Sequence, residues 1–178
     1  MKILYHPINA DESRAVARGS SVALRHETVD MGVDTIEVAI SAEGIESAIP
    51  ATGREPTMTR VQLERLPVVV RGSEFFCRVM EQLALIPPGE VTTYGRIAAA
   101  IGRPGASRAV GRAVGANAHY LLLPCHRVVS ATGTGGFRWG VDLKRRLLAA
   151  ERGYCSRGCQ LSSPARTSAG VKASALSS

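Results

Sequence analysis

The segment "LLLPCHRVV", residues 121–129, places a thiol and an imidazole side by side at the end of an apolar run. A free cysteine in such a run is ordinarily inert packing, since it behaves as a small hydrophobe. A thiol followed by His126 and Arg127 is also a candidate nucleophile, kept partly ionised by nearby positive charge. In an extended segment consecutive side chains point to opposite faces, so His126 reaches Cys125 only through a water or after a kink at Pro124. An imidazole acting as a base also needs an orienting acid, and Glu151 is the acidic residue close after Asp142. Cys77, beside Phe76 in an amphipathic stretch, reads as plain core. Cys155 and Cys159 have no second Cys or His pair to accompany them, and two ligands do not make a structural zinc site, so no metal is expected.

Two neighbouring stretches bear on what such a thiol would act upon. "SATGTGGFRWG", residues 130–140, is glycine-rich but lacks the Gly-Lys-Ser/Thr of a phosphate loop. With Phe137 and Trp139 it suits the wall of a pocket for a flat ligand. "SRAVGRAVGAN", residues 107–117, reads as a helix whose side chains are small apart from Arg108 and Arg112. Gly111 and Gly115 each cost such a helix on the order of 1 kcal/mol relative to alanine. Close helix packing is one reason to keep them, and close approach to a nucleic-acid backbone or groove is another. In the second case Arg108, long and planar, can enter a base stack.

Charge favours the nucleic acid. The chain carries a net charge of +7, and residues 94–146 hold nine Lys/Arg against the single acid Asp142. So one-sided a segment attracts polyanions, whereas residues 1–70 are mildly acidic. The four cysteines form no disulfide framework, and no stretch approaches a membrane span or a signal peptide, so a soluble chain in the reducing cytoplasm is expected.

The elements that position these residues are legible from their periods. "SVALRHETV", "TIEVAIS" and "GIESAI" are strand candidates, the last two joined by the turn "SAEG". "ATGREPTMTRVQLERLP" reads as a loop with at most a helical turn, leading to an extended "VVV". From Ser73, a good N-cap, apolar residues at 76, 79, 80, 83 and 86 mark a helix ended by "PPG". "TTYGRIAAAIG", the turn "RPGA" and the basic helix outline a helix-turn-helix. Asp142 is expected to cap a last helix ending near Gly153.

Taken together, "VTTYGRIAAAIGRPGASRAVGRAVGAN", "PCHRVV" and "FRWGVDLKRRLLAAE" resemble the 6-O-alkylguanine-DNA alkyltransferases, the methylated-DNA–protein-cysteine methyltransferases, from about Val70 to Gly153. The resemblance implies an α/β (α+β) fold. A small antiparallel β domain would occupy residues 1–70, a mostly helical domain with a winged-helix-like helix-turn-helix residues 71–153, and a disordered tail residues 154–178. It implies that Cys125 accepts an alkyl group from guanine in a single-turnover reaction without a cofactor. His126 would take the thiol proton through a water, Glu151 would complete the relay, and Asn117 would brace the active-site segment. Tyr94 would sit near phosphate and the flipped base. The second helix would enter the minor groove through Ser107, Arg108, Ala109, Gly111 and Arg112, with Arg108 filling the gap left by the base. Val128, Phe137 and Arg138 would line the guanine pocket. The implied partner is double-stranded DNA containing alkylated guanine, met by a monomer.

The chain departs from the family's pattern at Arg112, where many members have glycine, and at Phe137, where tyrosine is commoner. Its region before Val70 lacks a clear helix after the hairpin, and its tail has no counterpart. Two other functions fit less of the pattern. Lesion-binding relatives of the family carry tryptophan in place of the acceptor cysteine, and a cysteine hydrolase would need an oxyanion hole and has no use for a basic helix.

Overall fold

The computed structural model describes residues 2–7, 23–51 and 53–158, with backbone alone for 154–158. Its first half is a five-stranded sheet in the order β1-β5-β4-β3-β2. β2 (Arg25–Asp30), β3 (Thr35–Ile40) and β4 (Ile45–Pro50) form an antiparallel meander. β5 (Val68–Gly72) lies parallel to β4 through the single pair Ile45↔Val68, and β1 (Ile3–Pro7) lies parallel to β5 over five pairs. The sheet is therefore mixed, not the antiparallel unit expected, and β5 crosses the expected boundary at residue 70. "ILYHP" is short and pairs with a strand more than sixty positions away, so nothing in its local period announces it. Val68, Val69 and Val70 are all buried, as a strand covered on both faces requires. The turn "SAEG" closes by a Ser41 N–H donated to the Gly44 carbonyl at 2.8 Å. Gly44 has φ +145°, and a Cβ there would come within 2.3 Å of the Pro67 carbonyl oxygen.

A short helix, α1 (Arg60–Glu64), opens with a capping box between Thr59 and Gln62. α2 (Glu74–Ala84) starts at the Ser73 cap and buries Cys77, Val79, Met80 and Leu83. α3 (Tyr94–Ala100), capped by Thr93, turns through Gly102 and Gly105 into α4 (Ser107–Gly115), which completes the helix-turn-helix. The short strands β6 (Thr92–Thr93) and β7 (Val128–Val129) pair in parallel, joining the start of α3 to the segment after the thiol. α5 spans Val141–Gly158. It does not stop at Gly153, since one glycine costs a helix only about 1 kcal/mol. Asp142 lies in its first turn, 3.0 Å from Arg145, rather than at the cap. The expected tail beyond residue 158 lies outside the described residues.

One apolar core runs from Val38, Ile45 and Val70 of the sheet through Met80 and Leu83 to Val110, Val114, Leu123 and Leu147. The segment approaching the thiol is also sewn to the sheet. Ala48 N–H donates to the Ala118 carbonyl at 2.8 Å, and Tyr120 N–H donates to the Ala48 carbonyl at 3.0 Å. No helix among the described residues is long and apolar enough to cross a membrane.

Candidate active site and nucleic-acid face

The run before the thiol is not extended but turns at residues 120–123, closed by the Leu123 N–H on the His119 carbonyl at 3.0 Å, and after Pro124 the residues Cys125–Arg127 form a 3₁₀ turn. With three residues per turn, neighbouring side chains diverge by about a third of a circle rather than by a half. Cys125 and His126 are consequently both buried, at 4% and 1% exposure. Asn117, likewise buried, fixes the approach to this turn. Its Nδ2 donates to the Leu123 carbonyl and its Oδ1 accepts the His119 N–H, each at 3.0 Å. Leu121 between them adopts φ +62°, a conformation costing a leucine about 1–2 kcal/mol.

Glu151 reaches the turn from α5. Its Oε1 lies 2.8 Å from His126 Nε2, and the Arg127 guanidinium donates from Nε at 3.0 and 3.1 Å and from a terminal nitrogen at 2.7 Å. The Gly89 N–H donates to Oε2 at 3.2 Å. Burial alone would raise this carboxyl, but the hydrogen bonds from His126, Arg127 and Gly89 outweigh it and hold its pKa down at about 2. Glu151 is thus a carboxylate at neutral pH and only accepts hydrogen bonds. His126 Nε2 must therefore carry the proton, which leaves Nδ1 as the lone pair of the neutral ring. Nδ1 is buried with no hydrogen-bond partner among the described residues. A base is needed here, because burial pushes the Cys125 thiol up. The Asn117 amide, the Cys125 and His126 backbone and the Lys144 charge draw it only part of the way back. Arg127, two residues after the thiol, directs its charge to Glu151 instead.

Lys144 was not among the expected site residues. Its side chain is fully buried, and Nζ donates to the Val128 carbonyl at 2.6 Å and to the Gly136 carbonyl at 3.1 Å. It fastens the glycine-rich loop to β7, and burial lowers its pKa. The sequence signal was an "LKRR" run in which one cation faces inward at a helical period, indistinguishable without the packing from a solvated charge cluster. Tyr94, the first residue of α3, is half-buried, and burial followed by the nearby Cys125 raises its phenol. A Cβ on Gly135 would lie 3.2 Å from the Tyr94 hydroxyl, so the loop passes close over this ring. Phe137 is half-buried and meets His126 edge-on with centroids 6.5 Å apart. Arg138 is exposed, and the Val128 side chain is fully buried in β7, where its carbonyl rather than its side chain meets Lys144.

The face of α4 is separate from this buried cluster. Val110, Ala113 and Val114 point inward, while Arg108 and Arg112, one turn apart, are exposed; Ser107, Ala109 and Gly111 are partly covered. A Cβ on Gly115 would meet nothing within 4 Å, and one on Gly111 would only touch the Tyr94 ring at 3.9 Å. Neither glycine is required by packing inside the chain, which removes one of the two reasons for keeping them. Of the nine cations in residues 94–146, Arg127 and Lys144 turn inward and the other seven are exposed. Two cavities, of about 320 and 300 Å³, lie away from Cys125.

The arrangement has close counterparts among known proteins. The DNA-binding domain of 6-O-methylguanine DNA methyltransferase, as a sequence family, matches residues 74–153. A methylated-DNA–protein-cysteine methyltransferase of Mycolicibacterium paratuberculosis is 52% identical over 84 residues, 47% of this chain and 51% of that protein. The matched segment thus spans about half the length of such curated relatives. Solved structures extend the likeness. The Mycobacterium tuberculosis O6-methylguanine methyltransferase aligns over 74% of this chain and 94% of its own, with TM-score 0.61 and 29% identity. The M. tuberculosis OGT in complex with DNA aligns over 72% of this chain and 92% of its own, with TM-score 0.61 and 31% identity. With a relative 31% identical and matched over 92% of its own length, and a family match across residues 74–153, the chain belongs to the methylated-DNA–protein-cysteine methyltransferase family.

Proposed function

We propose that this chain repairs DNA by turning an alkylated guanine out of the duplex and moving the alkyl group from the guanine 6-oxygen irreversibly to Cys125. The observation that carries the reading is the buried thiol in a 3₁₀ turn beside an imidazole whose Nε2 is committed to Glu151. His126 Nδ1 takes the thiol proton through a water. The sulfur attacks the alkyl carbon, the carbon–oxygen bond breaks, and the released guanine takes up one proton as its 6-oxygen becomes a carbonyl. Each chain forms one thioether and is spent, and the displacement consumes no cofactor. Asn117 holds the turn, Tyr94 hydrogen-bonds the extruded base, and Phe137 and Arg138 flank it, with Val128 behind. Since one chain holds all these groups, it acts as a monomer. The reducing cytoplasm, where Cys77 and Cys125 remain free thiols, is its place of action.

Ser107, Arg108, Ala109, Gly111 and Arg112 form the face that meets the minor groove of the duplex. A base in the stack is out of reach of a buried thiol, and extruding it costs a few kcal/mol. Arg108 offsets that cost by occupying the vacated place. Arg108→Ala should therefore slow transfer from duplex by about 100-fold, the equivalent of a few kcal/mol, while transfer from the free alkylated base changes less than about twofold. Equal losses with both substrates would remove the finger role. On the same face, Gly111→Ala should raise unfolding stability by about 0.5–1 kcal/mol and weaken duplex binding, since the added methyl stands between helix and groove. Denaturant melts and a gel-shift titration read the two effects; unchanged binding would place DNA on another face.

The decisive experiment is intact-protein and peptide mass analysis after mixing with an O6-methylguanine duplex. One methyl on the peptide containing Cys125, saturating at one per chain, is expected. Duplex binding without a mass change would make the protein a lesion binder instead.

A further inference from the structure

Resting on the proposed function, we infer that Arg112 reads the floor of the minor groove about two base pairs to one side of the lesion, so that the chain repairs alkylated guanine faster where A·T pairs lie there. The exposed positions of α4 and its C-terminal end are Arg108, Arg112, Gly115 and Ala116, whose spacing places them on a single stripe of the helix. The minor groove is only about 6 Å wide, so a helix approaches its floor with a nearly bare face. Two long side chains stand on this stripe, and both end in a guanidinium. A Cβ on Gly115 would meet nothing within 4 Å, which leaves the space beside Arg112, three residues further on, open. Arg112 is also a position at which the chain departs from its family's pattern, so any preference it confers is particular to this chain.

Neither arginine is engaged within the chain. Among the described residues the ion pairs from position 94 onward are those of His126 and Arg127 with Glu151 and of Arg145 with Asp142. Arg103, in the turn before α4, is held over the Phe75 ring at 6.0 Å. Arg108 and Arg112 thus keep their donors for an external partner. Four residues of helix rise about 6 Å, close to two base steps of about 3.4 Å. With Arg108 in the place of the extruded base, Arg112 meets the groove about two steps away, on the side toward which α4 runs. There an A·T pair shows only acceptors, adenine N3 and thymine O2, whereas a G·C pair adds the guanine 2-amino donor. A guanidinium has donors and no acceptor, so it bonds to the first and is opposed by the second. Runs of A·T also narrow the groove and deepen its negative potential, which draws arginine in. Arg112 therefore supplies a preference that Arg108, occupied in the gap, does not.

Single-turnover methylation of Cys125, followed by mass, tests this in O6-methylguanine duplexes that share the lesion and its immediate neighbours. The duplexes differ only about two to three base pairs away, on one side or the other. In wild type, A·T pairs on one of the two sides should speed transfer at least about fivefold over G·C pairs, the low end of what one base contact discriminates. Inosine·cytosine pairs, which lack the 2-amino group, should behave there as A·T pairs do. Arg112→Ala, which keeps α4 helical, should flatten the ratio. Arg112→Lys, whose ammonium lacks the planar fork, should restore it only in part. A ratio that persists in Arg112→Ala overturns the inference, since the preference then belongs to the ease of opening the duplex. A loss of rate equal for every flank, and fully repaired in Arg112→Lys, also overturns it and makes Arg112 a phosphate contact. Flat wild-type rates with Cys125 methylated overturn this inference alone. Wild-type protein that methylates no Cys125 in any duplex defeats instead the proposed function on which it rests.

Discussion

Cys125→Ala protein should transfer no alkyl group while binding the same duplex within about twofold of wild type. In the proposed reaction the sulfur is the atom that forms the new bond, and among the described residues no other nucleophile stands in its place. Cys77, the other free thiol described, is buried in α2 with its sulfur turned toward the Val70 and Gly72 carbonyls at 4.0 and 3.7 Å. The residues proposed to face the groove lie on α4 and do not depend on the thiol. Deleting one buried heavy atom costs about 1 kcal/mol of stability, too little to unfold the chain. Cys125→Ser is expected to be equally inactive, although it keeps the His126–Glu151 pair. Displacement at a saturated carbon needs a strong nucleophile, and a hydroxyl is far weaker than a thiolate. Peptide mass analysis and a gel-shift titration on the same samples read both halves of this expectation. A methyl group found on the alanine variant would move the acceptor to another residue.

What could be read before the fold was known divides along a physical line. Motifs whose meaning is local were legible: the Ser73 and Thr93 caps, the tight turn between α3 and α4, and the Pro-Cys-His run all announce themselves over a few residues. Glu151 is legible as a candidate partner of His126 because little else nearby carries the right charge, and its carboxylate lies 2.8 Å from that ring. Parallel pairing was not legible, since β1 meets β5 only after the intervening meander has folded. Inward-facing cations were misread for a related reason. Lys144 and Arg127 look like members of a basic cluster until burial turns one toward two carbonyls and the other toward a carboxylate. The tie from Asp34 to Tyr120 spans the two halves of the chain and left no local trace. Charge counted along the sequence overstated the polyanion face by two residues and missed that those two organise the site.

Glu151→Gln should slow alkyl transfer by about 10²–10³-fold, within the usual contribution of a positioned base, and should cost about 3 kcal/mol of stability at neutral pH. Three groups converge on this carboxylate, His126, Arg127 and the Gly89 N–H. A neutral amide cannot satisfy them all, and it leaves the Arg127 charge buried without its counter-ion, a kind of loss worth about 3–5 kcal/mol when a buried pair is broken. Catalysis suffers through the ring. With an amide oxygen or nitrogen opposite Nε2, the tautomer carrying its lone pair at Nδ1 is no longer enforced, and the imidazolium formed on taking the thiol proton loses its stabilising charge. The stability loss carries its own pH signature. The folded pKa of Glu151, about 2, lies below the ordinary value of 4.5. Its contribution is therefore fully present above about pH 4.5 and disappears as the pH falls toward 2, the folded state then having to take up a proton. A shift of that size corresponds to about 3 kcal/mol. Urea unfolding of wild type and Glu151→Gln should differ most near pH 7, and the gap should close between about pH 4.5 and 2. A gap that stays constant over that range would mean that the variant is destabilised by packing alone. The slow transfer would then have to be traced to a displaced His126 ring rather than to a lost carboxylate.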